Sequence, residues 1–270
     1  DNPLYIPVRC GAVYDEREGV TMLGDDTGDN ISEKRESFCE LTVLYWAWKN
    51  VKADYYGLCH YRRYISFADK SYRPKNDKSG FYTADRLNEK NIKKFQLNNT
   101  NKIVSEISKF DFVTTPYEDI YYSWDGRHKS MYELCEDRPR DFDMRGVDAL
   151  IEIIKEKYPQ YSKATDTYFS GHFAKYYNCF VMKSELFHEL CSMLFDVLFE
   201  LEKRLDTSHY GMWKMRMPGF MAENVIGIFY IDLLMGKKCK TCERDLIFFS
   251  DAERCRMKEI SPAFPEKNVP

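Results

Sequence analysis

The stretch SFCELTVLYWAWKNVKADYYGLCHYRRY, residues 37–64, decides the fold. In its first half Leu41, Leu44, Tyr45 and Trp48 recur at i, i+3, i+4 and i+7, the spacing of one helix face. Ser37 and Glu40 stand three apart, as in a capping box, so a helix is predicted over about 38–50. A short link then leads to Tyr55–Cys59, which reads as a buried strand. That strand runs straight into His60-Tyr61-Arg62-Arg63-Tyr64. Three basic side chains where a strand leaves the core need a reason in a chain of 40 Lys+Arg and 43 Asp+Glu, formal net charge −3.

Outward from this stretch the same alternation continues. Ile103, Ile107 and Phe110 mark a helix, and Phe110–Thr114 a strand stopped by Pro116. Val147, Leu150, Ile151 and Ile154 mark another helix, ended near Pro159, and Tyr177–Met182 reads as a strand. Ser184 opens a long helix through Leu186, Leu190, Leu194, Val197 and Leu201. A further helix is predicted over about 221–235 with Gly236 as its stop, followed by a strand at Leu246–Phe249. Alternating helices and strands predict an α/β sheet with helices on its faces. Residues 66–100 and 115–145, the second with Trp124, read as long polar excursions on one domain covering 1–270.

Composition bounds the function. With 270 residues, 44% of them hydrophobic, the chain can bury a substantial core. A pI near 6.0 without a basic stripe argues against nucleic acid. No apolar run approaches the roughly 18 residues of a membrane span, and no signal-peptide pattern is present. The chain opens at Asp1 rather than Met, which suggests a missing upstream segment. Nine scattered cysteines read as thiols of a reducing compartment, the cytoplasm, rather than a disulfide framework. Cys239-Lys-Thr-Cys242 lacks the second ligand pair of a zinc site and reads as two ordinary cysteines.

In open α/β sheets ligands bind beyond the carboxyl ends of strands, which is where His60, Arg62 and Arg63 fall. A cysteine-phosphatase loop from Cys59 would need arginine at position 65, where Ile65 stands. His60-x-x-Arg63 also occurs in tyrosine recombinases, but the acidic chain argues against DNA. Two readings stay open: arginine forks and a histidine on a diphosphate, or a strand end salt-bridged to acids.

Asp141-Phe-Asp143 is a literal D-x-D but follows no strand, so Asp143 is read as a cap for a helix starting near Arg145. The loop Gly24–Ser32 supplies Asp25, Asp26, Asp29 and Asn30, which suit sugar hydroxyls or a turn that caps the next helix. Its carboxylates give only part of a calcium ladder. Glu223 is a single acid among apolar residues at a predicted helix start, either a helix-terminus charge or a general base. His172 precedes a strand and alone reads as structural.

Five blocks appear in order: Gly24–Ser32, Cys39–Lys49, Gly57–Tyr64, Tyr177–Met182 and Gly219–Glu223. Together they resemble a bacterial family of glycosyltransferases of capsular or exopolysaccharide biosynthesis, first catalogued as a domain of unknown function, over about Tyr5 to Phe249. The resemblance implies a GT-A-like, Rossmann-like mixed sheet and transfer of a sugar from a nucleotide-sugar donor to a glycan acceptor. It makes UDP-galactofuranose a candidate donor and a lipid-linked glycan, met at the inner membrane face, a candidate acceptor. The Gly57–Tyr64 strand end would take the place of the metal-binding D-x-D, with His60, Arg62 and Arg63 on the donor diphosphate. A divalent metal is therefore not favoured. Glu223 would be the base of an inverting reaction, and Asp25, Asp26, Asp29, Asn30, His172 and Asn178 would orient donor or acceptor. Family members usually begin with a further strand ahead of Tyr5, which this sequence does not include. A non-catalytic glycan- or nucleotide-binding module is the alternative.

Overall fold

The structure, a computed structural model, describes residues 3–74, 80–120, 128–236 and 239–251. Its strands are β1 (Val8–Arg9), β2 (Leu23–Gly24), β3 (Tyr55–Leu58), β4 (Arg63–Ile65), β5 (Phe81–Ala84), β6 (Phe112–Thr114), β7 (Glu118–Asp119), β8 (Phe173–Ala174), β9 (Phe180–Lys183), β10 (Thr241–Glu243) and β11 (Leu246–Phe249). A mixed sheet runs in the order β10-β6-β9-β3, with β10 parallel to β6 and β9 antiparallel to both β6 and β3. A second sheet, β4-β11-β5, pairs β11 antiparallel to β4 and parallel to β5. The chain passes from one sheet to the other at the turn between β3 and β4, and that turn carries the three basic residues.

The helices are α1 (Arg35–Phe38), α2 (Leu41–Asn50), α3 (Glu89–Lys94), α4 (Thr100–Ile107), α5 (Met131–Glu136), α6 (Met144–Lys157), α7 (Ser162–Ser170), α8 (Ser184–Arg204) and α9 (Met217–Gly236). Strand alternation divides the core. Phe112, Phe180 and Met182 face a large cluster shared with α2, α6, α7, α8 and α9, while Val113 and Cys179 face a smaller one with Ile65, Phe67, Ile103 and Leu246. Tyr56 of β3 stacks on Phe187 of α8 with ring centroids 4.1 Å apart. Burial of one such ring stabilises the fold by about 1.5–3 kcal/mol.

Helix α9 is buried on nearly all sides. Residues 214–236 are long and apolar enough to cross a membrane, but most of this stretch is buried in the protein, as for a central core helix. The sequence reading missed this run because Lys214, Arg216 and Glu223 punctuate it. At its crossing with α7, a Cβ on Gly227 would lie 2.4 Å from the Tyr168 ring, so this contact needs glycine.

Several expectations change. The predicted 38–50 helix is two helices, because Cys39 takes φ 51 and breaks it. The Ser37–Glu40 capping box does not form: Ser37 Oγ donates to the Lys34 carbonyl, and Glu40 turns toward Asn178. A true capping box sits at Ser130 and Glu133. Helix α9 begins at Met217, four residues earlier than predicted, so Glu223 lies in its second turn rather than at its start. The strand predicted from Tyr177 begins at Phe180, since Tyr177 and Asn178 have φ 79 and 47. The two polar excursions are partly regular, holding β5 and α3 in one and β7 and α5 in the other. Trp124 lies outside the described residues, as does Cys255; the other eight cysteines are free.

Candidate active site

The turn after β3 closes on itself. His60 N donates to Arg63 O at 3.2 Å and Arg63 N to His60 O at 3.0 Å. This places the basic residues at the carboxyl end of β3, as the sequence predicts. The Arg63 guanidinium carbon lies 4.8 Å above the Tyr177 ring and 5.9 Å from that of Phe248, and that of Arg62 lies 4.9 Å from Phe248. Stacking on aromatic faces fixes a guanidinium while leaving its edge donors available. Arg63 makes no ion pair among the described residues, and its Nε is buried without a hydrogen-bond partner. For Arg63, the reading of a strand end tied down by acids is not what the structure shows.

Tyr177 and Asn178 follow β8 in left-handed backbone. That conformation is costly for non-glycine residues, about 1–3 kcal/mol, and clusters at functional sites. Here it turns the Tyr177 N–H onto Glu223 Oε1 at 2.8 Å. The Tyr177 hydroxyl donates to Glu118 Oε2 at 2.9 Å, and Asn178 Nδ2 donates to Glu40 Oε1 at 2.9 Å. One short segment thus holds three carboxyl groups around Tyr177 and Asn178. Burial pushes the Glu223 carboxyl up to about 8, and the nearby charges of Glu40 and Glu118 push the same way. The Tyr177 N–H and Arg63 pull it down by less. A carboxyl tuned into the neutral range can exchange a proton with substrate at working pH.

Further along α9's lead-in, Cys39 Sγ accepts from Arg216 Nε at 3.3 Å. Cys39 lies within electrostatic reach of both Arg216 and Glu223. Arg216, Gly219 and Glu223 are spaced along one face of α9 and its lead-in turn.

Other predicted site residues fall elsewhere. Asp25 is fully buried and accepts from Gly11 N and Ala12 N at 2.9 Å and from the Ser32 and Thr42 hydroxyls at 2.5 Å. Four donors saturate it, so it anchors the Gly24–Ser32 loop to α2 instead of facing a ligand. Asp26 is exposed. Asn30 closes its own turn through Gly28 O and Ser32 N. Asp29 accepts from Tyr45 and binds Asn50, well along α2 from Glu40; Asn50 is some 15 Å from that end at 1.5 Å per residue. His172 Nδ1 lies 3.0 Å from Asp119 Oδ1. Neighbouring strand residues point to opposite faces, so Asp119 and His172 lie across β7 from Glu118. Asn178 alone of the orienting set stands beside Glu223.

The D-x-D behaves as the sequence suggests. Asp143 caps α6 through Arg145 N and also holds the Arg145 guanidinium and Tyr210, while Asp141 Oδ1 accepts from Trp213 Nε1 at 2.5 Å. Among the described residues no group of three or more His, Cys, Asp or Glu is placed to hold a metal ion. At the end of β3 stand two guanidinium groups, which cannot ligate a cation, and the single imidazole of His60, which by itself is too few ligands for a divalent metal.

Sequence reasoning missed Glu40, Glu118, Tyr177 and Arg216. The local pattern gives Glu40 to a cap and Tyr177 to a strand. Nothing in the local pattern marks Glu118 or Arg216.

A family described as "Domain of unknown function (DUF4422)" matches residues 1–233. No curated protein matches the chain. Among solved structures, "WbbM bifunctional glycosytransferase apo structure" matches with a TM-score of 0.84 and 30% sequence identity. The match covers 93% of this chain and 43% of that one, so this chain spans less than half the length of that protein. The mixed sheet, its flanking helices and the basic turn at the end of β3 thus sit on a glycosyltransferase fold of the GT-A-like kind. The chain belongs to the DUF4422 family.

Proposed function

We propose that this protein is an inverting glycosyltransferase that moves a sugar from a nucleotide-sugar donor to a glycan acceptor. The observation that carries the reading is the pairing of Glu223, its carboxyl raised to about 8, with Arg63, unpaired among the described residues and within electrostatic reach of it. Glu223 removes the proton of the acceptor hydroxyl. The acceptor oxygen attacks the anomeric carbon and forms the new glycosidic bond as the bond to the diphosphate oxygen breaks. The diphosphate leaves with the electron pair, and the edge donors of Arg63, with Arg62 and His60, stabilise its growing charge. Preorganised donors of this kind are worth about 10²–10³-fold in turnover each. The likeness to a bifunctional glycosyltransferase supports the reaction class. UDP-galactofuranose is one candidate donor, and a lipid-linked glycan one candidate acceptor.

Calorimetry with a panel of nucleoside diphosphates and nucleotide sugars, with and without EDTA, tests the donor half. Binding of UDP or a UDP-sugar that persists in EDTA and is lost in Arg62→Ala/Arg63→Ala is expected. If no nucleotide binds, the protein is instead a non-catalytic module and the assignment fails. Binding that requires a divalent cation overturns the role given to the arginines.

A further inference from the structure

The row that leads from Glu223 to Arg216 does not end there. Arg216 closes a 3₁₀ turn, Lys214–Arg216, directly ahead of α9. Seven residues separate it from Glu223, about 10 Å at 1.5 Å per residue. Its guanidinium carbon lies 5.0 Å from the Trp213 ring and 5.7 Å from that of Phe220, one turn before Glu223. A second arginine uses the same indole: Arg140 lies 4.2 Å from the Trp213 ring. The indole is itself pinned by its bond to Asp141.

Trp213 remains 40% exposed, and Arg140 is exposed without an ion pair among the described residues. Asp141 and Glu40 are within electrostatic reach of Arg216, but among the described residues neither carboxylate comes into ion-pair contact with it. Two guanidinium groups gathered on one aromatic side chain repel each other unless an anion joins them. The diphosphate is assigned to Arg63, on the turn between β3 and β4, whereas Arg216 stands on the lead-in to α9. A second anionic group is therefore the partner that the charge arrangement fits, and the side of the base facing away from the donor is where an acceptor must approach.

We propose that Arg140, Arg216 and Trp213 form an acceptor subsite that takes a saccharide carrying an oxyanion, with its reactive hydroxyl toward Glu223. The proposal rests on the glycosyltransferase reading. A uronate carboxylate and the diphosphate of a glycosyl diphosphate offer the same chemistry to an arginine pair.

Calorimetry on the full chain distinguishes the sources, using a glucuronate-containing disaccharide, a sugar 1-diphosphate with a short prenyl chain, and a neutral disaccharide. UDP is titrated in parallel, on wild type, Arg140→Gln and Arg63→Ala. One anionic probe is expected to bind wild type and to weaken about tenfold or more in Arg140→Gln, the effect of losing one charge-assisted bond, while the neutral probe is unaffected. The responsive probe identifies the source. If UDP binds in an Arg63-dependent way but neither anionic probe responds to Arg140→Gln, the subsite is wrong and the donor reading stands. Equal weakening of neutral and anionic probes also overturns it. If UDP does not bind at all, the donor reading falls and the acceptor assignment falls with it.

Discussion

The backbone N–H of Tyr177 donates to Glu223 Oε1 at 2.8 Å, because Tyr177 is held at φ 79. A residue in strand conformation at this position would aim its amide elsewhere. The strain therefore positions the proposed base, and several outcomes can be derived from it.

Replacing Glu223 by Gln keeps the volume and removes the proton acceptor. Turnover with donor and acceptor should fall about 10²–10⁴-fold while circular dichroism and UDP affinity hold. In the wild type, kcat/KM should rise with pH through an apparent pKa near 8, since the carboxyl is pushed up to about 8 and must be ionised to act. A profile flat from pH 6 to 9 would exclude Glu223 as the base.

Stability carries the same signature with a defined sign. In the folded protein Glu223 keeps its proton up to about 8, against an ordinary value of 4.5. Between these values the native state binds more protons than the unfolded chain, so the contribution is complete below pH 4.5 and is lost as pH rises through 8. Glu223→Gln abolishes this dependence. Its melting temperature should exceed that of wild type at pH 9 and converge with it near pH 5, checked by scanning calorimetry at both pH values.

Glu40 acts on Glu223 through charge while its own oxygen holds Asn178. Removing that charge in Glu40→Gln should shift the kcat/KM profile to lower pH, with the fold retained. A purely structural role would lower stability and leave the profile in place, so the pH–rate curve decides between them.

Arg63→Ala should weaken UDP and slow turnover by about 10²–10³-fold. Arg63→Lys should recover little of either, because an ammonium cannot stack on Tyr177 or present a planar fork. Full rescue by Lys, measured by calorimetry and turnover, would show that charge alone is used.

Asp25 gives a contrasting result. With four donors converging on a buried carboxylate, Asp25→Asn places an NH₂ group against at least one of them. It should cost about 2–4 kcal/mol in chemical denaturation. A variant that folds normally but loses sugar binding would restore the ligand role suggested by its sequence.

Several strands and helices were legible in the sequence because their signals are local. Leu246–Phe249 shows its apolar run, and the six-helix-turn periodicity of α8 shows one face. Asp143 was legible as a cap because capping is decided within three residues. Glu40 was misread for the same reason: Ser37 and Glu40 satisfy a local rule, but Cys39 breaks the helix between them and a contact 138 residues away claims the carboxylate. Long-range pairings of this kind leave no periodic trace. The Gly24–Ser32 loop shows the converse, since its carboxylates look alike in sequence and only burial separates Asp25 from Asp26 and Asp29.

Glu223 is carried by α9, the most enclosed helix of the protein, whereas Arg62 and Arg63 sit on a four-residue turn between two sheets. Amides around Glu223 should then exchange with deuterium only through global opening, while those of the turn exchange through small local excursions. Ligand binding should slow exchange mainly at the turn and leave α9 unchanged. The half of the site proposed to handle the proton is as durable as the fold itself, and whatever adaptability the site has resides in the half proposed to hold phosphate.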